Sequence, residues 1–278
     1  MSVDTLTPEQ IATYWNDGFL LLPGFFAADV IDRLRTTATA DTILDQAAFG
    51  RADGEGGTVR LSLWNHPTDT IYGAIARSRS MVEVIEQLLG GEIYHYHSKM
   101  VMKDARTGGA WAWHQDYGYW YQNGVLKPDL CSAFVAIDPC TRENGCLQVI
   151  RGSHHLGRLD HQVTGTQAGI DPERLAAIEA RLETVHVVMA PGDLLVFHPN
   201  TLHRSDQNRS ENPRWSLICC YNAAANSPYK ESHHPSYTPL DKIADGDIMA
   251  FADRHFSADD RHALMAGEAD TSVQALEA

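Results

Sequence analysis

The apolar pattern of the chain changes period near residue 90. Before it, hydrophobic positions recur at helical spacing. Thr7-Pro8-Glu9-Gln10 reads as a helix start, with Thr7 as N-cap, Pro8 at the first helical position and Gln10 closing a capping box. That helix should end near Asp17-Gly18, and the apolar run Phe19 to Leu22 should form a short strand stopped by Pro23-Gly24. Val30, Ile31, Leu34 and Ala38 share one stripe of a second helix over 28–47. A third helix spans 69–89 and is ended by Gly90-Gly91. The glycine-rich stretch 50–60 reads as a surface loop that could act as a lid.

From Ile93 onward the texture is that of short strands: 93–103, 111–121, 130–138, 146–151, 185–189, 194–198 and 214–222. Turn signals such as Glu143-Asn144-Gly145, Arg151-Gly152-Ser153 and Pro191-Gly192-Asp193 separate them, and one helix, 172–183, capped by Asp171, interrupts. This spacing predicts a mainly β fold, a sandwich or jelly-roll barrel, with flanking N-terminal α-helices. We expect one domain over 1–278: a helical part to about 92, a β core over about 93–225, and a C-terminal extension over about 226–278 that wraps the surface and ends in a short helix near 258–265.

Composition narrows the class of partner. A chain of 278 residues with 44% hydrophobic residues can bury a substantial core. Its formal net charge of −14 argues against nucleic acid and anionic membranes as partners. No apolar run reaches membrane-spanning length, and the first ten residues do not resemble a secretion signal. The five cysteines (Cys131, Cys140, Cys146, Cys219, Cys220) include no Cys-x-x-Cys, and three lie in apolar runs. Free buried thiols in a reducing, cytoplasmic setting fit them better than disulfides or a zinc-thiolate site. The sequence is silent on oligomeric state.

The densest candidate chemistry lies in Trp111 to Tyr121, which reads as a strand entering a hairpin at Asn123-Gly124. Of the fourteen histidines, only His114 begins a His-x-Asp. Strand alternation would put His114 and Asp116 on one face, and Tyr117 and Tyr119, which follow directly, are expected to lie beside the metal. A third ligand should come from a late strand and meet them across the barrel. His203, after the Pro199 bend, is a better candidate than His198. Two histidines and a carboxylate form the facial set that suits non-haem Fe(II) and leaves open positions. A 2-oxo acid could fill two of them and dioxygen the third. Arg214 opens the next strand and could grip the far carboxylate of 2-oxoglutarate with two parallel hydrogen bonds, while Ser216, on the same face, could donate another. The bland alternative for Arg214 is a surface ion pair with Glu211.

His114-Gln115-Asp116, His203 and Arg214, with Glu143-Asn144-Gly145-Cys146-Leu147 and Arg151-Gly152-Ser153-His154 between them, resemble the phytanoyl-CoA dioxygenase family over about residues 8–225. The resemblance implies a double-stranded β-helix (jelly roll) and an Fe(II)/2-oxoglutarate-dependent dioxygenase. It implies that His114, Asp116 and His203 hold iron, that Arg214 and Ser205 hold 2-oxoglutarate, and that Lys99 and Phe134 lie near it. Amino-acid hydroxylases of the family tend to carry a cosubstrate-binding Asn where this chain has Val101. Family halogenases carry a small residue where Asp116 stands, so Asp116 argues for hydroxylation.

The expected reaction is hydroxylation of an unactivated C–H bond of a small soluble metabolite, amino-acid-like or an amine, with release of succinate and carbon dioxide. Trp113, Tyr117 and Tyr119 are the candidate pocket wall, where an aromatic box could hold a cation. A coenzyme A thioester is the competing substrate, but Lys127, Arg142, Arg151 and Arg158 are scattered among acidic residues. A zinc hydrolase and a catalytically inactive jelly-roll binding protein are the competing classes. His95 and His97 share a strand face and could be a second metal pair, though a structural role is the plainer reading. His154-His155 and His233-His234 are expected in solvated loops.

Overall fold

The computed structural model describes residues 5–164 and 167–265; the end of the C-terminal extension, 266–278, lies outside the described residues. In chain order the elements are α1 (Pro8–Asp17), β1 (Phe19–Leu22), α2 (Ala28–Ala40), α3 (Thr42–Gln46), β2 (Phe49–Ala52), β3 (Thr58–Trp64), α4 (Ile71–Ala76) and α5 (Arg79–Leu89). There follow β4 (Ile93–Lys103), β5 (Trp111–His114), α6 (Asp116–Gln122), β6 (Leu130–Ala136), β7 (Leu147–Ile150), β8 (His161–Thr164) and β9 (Gln167–Ile170). The last are α7 (Pro172–Glu179), β10 (Thr184–Val187), β11 (Leu194–Phe197), β12 (His203–Ser205), β13 (Arg214–Ala223) and β14 (Leu264–Met265).

Two antiparallel sheets form a jelly roll. The larger runs β1-β11-β6-β13-β4-β3-β14, with β2 also on β3; the smaller runs β10-β7-β12-β5. The large sheet is covered on both faces, which its unbroken apolar runs require. Alternation along each strand divides the core. Ala133, Val135, Leu194, Val196, Leu217 and Cys219 face the helices, where they meet Leu34, Ile75, Val84 and Ile85. Phe134, Ala136, Leu195, Phe197, Ile218 and Cys220 face inward, toward Leu147 and Val149 of the small sheet. All five cysteines are free and buried, as their apolar setting predicts.

Several expectations are corrected. The capping box of Thr7 and Gln10 is present as read. The second helix instead breaks at Asp41, whose carboxylate caps α3 through the amides of Ile43 and Leu44. The third splits at Arg77-Ser78 into α4 and α5. The 50–60 stretch is not a loop throughout: β2 and β3 pair as a hairpin, and Asp53 holds its tip by accepting from the amides of Glu55 and Gly57. On β4 the pairing with β13 skips Tyr96, between Cys220↔His97 and Tyr221↔His95. This bulge reverses the face of everything after it. His95 therefore faces away, toward Asn65 and Ser98, while His97, Lys99, Val101 and Lys103 all face the interior cavity, so the two histidines form no pair. His154 and His234 are buried, not solvated.

Candidate metal centre

The strand expected over 111–121 ends at His114. The chain turns at Gln115 and Asp116 is the first residue of α6, where its negative charge also faces a helix N-terminus. Asn123-Gly124 closes that helix instead of a hairpin: Gly124, at φ 94°, donates to the carbonyl of Tyr121, and Val125 donates to that of Trp120. His203 opens β12, the antiparallel neighbour of β5, and its register partner is His114. The third ligand candidate thus comes from the adjacent strand of the same sheet and not from across the barrel. The Glu143-Asn144-Gly145 turn supports that strand from outside. Gly145, at φ 75°, lies so close to the Asp206 carbonyl that a Cβ would stand 2.1 Å from it.

The three side chains converge. His114 Nε2 lies 3.9 Å and His203 Nε2 3.8 Å from Asp116 Oδ1, and the two imidazole centroids are 4.1 Å apart. All three are buried. The atoms that face away from this point are satisfied. His114 Nδ1 donates to the Ala112 carbonyl at 2.8 Å and His203 Nδ1 to the Thr201 carbonyl at 2.9 Å. Each ring is thereby held with its Nε2 lone pair aimed inward. Asp116 Oδ2 accepts from the Ser132 hydroxyl at 2.7 Å, which leaves Oδ1 for the centre. Burial lowers the pKa of both imidazoles, so each is a neutral donor. Among the described residues this is the one group of three or more such side chains with metal-ligand spacing. The donor set fits Fe(II): two neutral imidazoles and one hard carboxylate.

A cavity runs from this centre along β4, and at its far end stands Arg214. Arg214 is 2% exposed and lies over the Phe134 ring at 5.7 Å. Its Nη1 reaches Ser216 Oγ at 3.5 Å, while its Nε is buried with no acceptor among the described residues. Glu211, the alternative partner, pairs with Arg106 instead. A buried guanidinium with no carboxylate is costly unless an anion arrives to meet it. Lys103 is the register partner of Arg214, is 1% exposed, and donates to the Asp206 carbonyl. Burial, and then Arg214 itself, push its pKa well down. Sequence reasoning missed Lys103, although alternation from Lys99 puts it on the same face. Ser205, Lys99 and Val101 also line the cavity.

The aromatic wall differs from expectation. Helical spacing carries Tyr119 and Trp120 onto the face of Asp116, and both line the cavity together with Trp111. Tyr117 points into the core and donates its hydroxyl to the Val125 carbonyl at 3.2 Å. Trp113 faces the other side of β5, where it packs with Ile150 and Leu202 beneath Arg204. Neither belongs to the pocket. His97 and His234 close the opposite wall, their rings 4.6 Å apart and 17° from parallel.

A family model for phytanoyl-CoA dioxygenase (PhyH) matches residues 14–216. The chain belongs to the phytanoyl-CoA dioxygenase family. L-proline trans-4-hydroxylase of Streptomyces griseoviridis is 30% identical over 256 residues, covering 86% of this chain and 94% of that protein. Ectoine dioxygenase of Halomonas elongata is 29% identical over 247 residues, covering 82% of this chain and 74% of that one. Among solved structures, EctD from S. alaskensis with bound Fe superposes with a TM-score of 0.72 at 25% identity, covering 86% of this chain and 88% of that one. The carbocyclase SnoK from nogalamycin biosynthesis shares the fold at a TM-score of 0.65 and 17% identity, covering 87% of this chain and 95% of that one. Among the described residues, no helix of this family member is long and apolar enough to cross a membrane.

Proposed function

We propose that the protein is an Fe(II)- and 2-oxoglutarate-dependent dioxygenase that hydroxylates a small, carboxylate-bearing, amino-acid-like metabolite. One observation carries this reading: a buried cavity has a cation-binding set at one end and a buried, carboxylate-free guanidinium at the other. A keto acid with a chelating end and a free carboxylate end satisfies both. The relatives that bear the names proline hydroxylase and ectoine dioxygenase support the substrate class, because they span nearly the same length.

In this reading His114, Asp116 and His203 hold the metal, and Ser132 keeps Asp116 oriented. Arg214 takes the far carboxylate of 2-oxoglutarate, with Ser205, Ser216 and Lys103 beside it and Phe134 beneath it. When bound, iron, the keto acid and dioxygen supply the oxidation that hydroxylates a C–H bond and releases succinate and carbon dioxide. Lys99 stands on the same strand face as Lys103 but nearer the centre, and it influences both histidine ligands. We assign it to the substrate carboxylate: after the keto acid has met Arg214 and the metal, Lys99 still offers an amine to the cavity. Tyr119, Trp120 and Trp111 exclude water around the reacting carbon.

The helical part and the β core share one apolar cluster, which supports a single catalytic domain. Five free thiols support a reducing, cytoplasmic setting. The test is a panel of small amino and imino acids scored by succinate release above the uncoupled background. Iron-dependent turnover of at least one supports the reading. Zinc-supported activity without succinate, or no decarboxylation of 2-oxoglutarate at all, overturns it.

A further inference from the structure

Gln115 lies between two of the proposed ligands yet faces away from the metal centre, and it is fully buried. Its carboxamide makes three hydrogen bonds, all to backbone. Nε2 donates to the carbonyl of Asn200 at 2.7 Å and to that of Gly157 at 2.8 Å, and Oε1 accepts from the Leu159 amide at 2.7 Å. Asn200 precedes Thr201, whose carbonyl fixes the His203 ring. The second amide of α6, that of Tyr117, donates to the Pro199 carbonyl at 3.0 Å. The corner bearing His114 and Asp116 is therefore docked directly on the turn that carries His203.

A closed ring of bonds holds the carboxamide itself. The Gln115 amide donates to His161 Nε2 at 2.8 Å, His161 Nδ1 donates to the Leu159 carbonyl at 3.0 Å, and the Leu159 amide returns to Gln115 Oε1. The His161 ring reaches this place only because α6 has a glycine there. A Cβ on Gly118 would stand 2.1 Å from His161 Cε1. The alternative is that Gln115 is a polar plug that stabilises the fold and nothing more. Asn222, equally buried, provides the comparison: it also makes three side-chain bonds, to Tyr94 and Asn226, but lines no part of the cavity.

We propose that Gln115 is a positioning residue: its carboxamide sets the separation between the His114/Asp116 corner and His203, and through it the affinity for the metal. The inference rests on the metal reading given above. Partners that orient metal ligands from behind typically change affinity by about 10- to 100-fold. The experiment is a Co(II) titration of the metal-free full chain, followed by visible absorption, on the native protein, Gln115→Met and Asn222→Leu, with Tm measured for each. Gln115→Met should weaken Co(II) binding by about 10-fold or more, whereas Asn222→Leu should lose comparable Tm and keep its affinity within about 2-fold. Gly118→Ala, which displaces His161 and touches no ligand, should weaken binding in the same direction and serves if Gln115→Met does not fold. Native affinity in Gln115→Met, or in Gly118→Ala where that variant serves, overturns the proposal. So does a loss of affinity that follows Tm equally in the Gln115 and Asn222 variants. Failure of the native chain to take up one Co(II) overturns the metal reading itself.

Discussion

The two ends of the cavity are incomplete in opposite senses. At the His114/Asp116/His203 end, every inward atom is a lone-pair donor, and the outward atoms are tied to Ala112, Thr201 and Ser132. At the Arg214 end, the inward group is a guanidinium, and it keeps a buried Nε that nothing in the described chain accepts. One end lacks a cation and the other an anion. The protein spends folding energy on holding both open, since an unpaired buried charge and three convergent lone pairs are each unfavourable alone. Such a cost is sustained where a ligand offsets it.

The largest effect should come from breaking the lone-pair end. Asp116→Ala removes the only anionic donor and should abolish both metal uptake and coupled hydroxylation, read as loss of bound iron and of product. Retained hydroxylation would remove the carboxylate from the ligand set. Next comes the cationic end. Arg214→Ala removes one partner of a buried charge pair, a loss of about 2–5 kcal/mol, so the KM for 2-oxoglutarate should rise roughly 30-fold or more. An unchanged KM would contradict the assignment. Arg214→Lys keeps the charge but not the two-pronged geometry and should fall between.

A smaller effect sharpens the division of the cavity between its two occupants. Lys99→Met should raise the KM of the primary substrate by about 10-fold, a loss near 1.4 kcal/mol, while uncoupled 2-oxoglutarate decarboxylation keeps its KM. Lys103→Met should do the reverse. If Lys99→Met moves only the 2-oxoglutarate KM, then both lysines serve the keto acid and the substrate need not be an anion.

How much of this could be read from the sequence differs between the same two ends. The ligands were legible because their chemistry is rare: one His-x-Asp among fourteen histidines, followed by a histidine and an arginine at strand spacing. The strands of the large sheet were legible because apolar runs such as Leu194–Phe197 and Leu130–Ala136 have no other stable placement. Lys103 was not singled out, although alternation carries it to the face of Lys99; its pairing with Arg214 across β13 is what places it at the far end of the cavity. The β2–β3 hairpin was hidden by its glycine-rich tip, whose order comes from Asp53. Residues 116–121 read as strand because their aromatic content favours β structure. Tertiary bonds decide otherwise: Gln115 is clamped by three backbone groups and the Tyr117 amide is taken by Pro199.

That last misreading gives the finest test of how α6 divides its aromatic residues. If the segment were a strand, Tyr117 and Tyr119 would share one face, the one opposite His114 and Asp116, and respond alike. As a helix it sends Tyr119 into the cavity, 5.9 Å from the His114 ring, and Tyr117 into the core. Tyr119→Leu should therefore raise the KM of the primary substrate by a few-fold, about 0.5–1 kcal/mol of lost ring contact, with Tm nearly unchanged. Tyr117→Phe deletes one buried hydrogen bond to Val125 and should cost about 1 kcal/mol of stability with KM unaltered. Equal effects of the two changes on KM would place both rings alike and reject the helical turn that brings Asp116 to the metal.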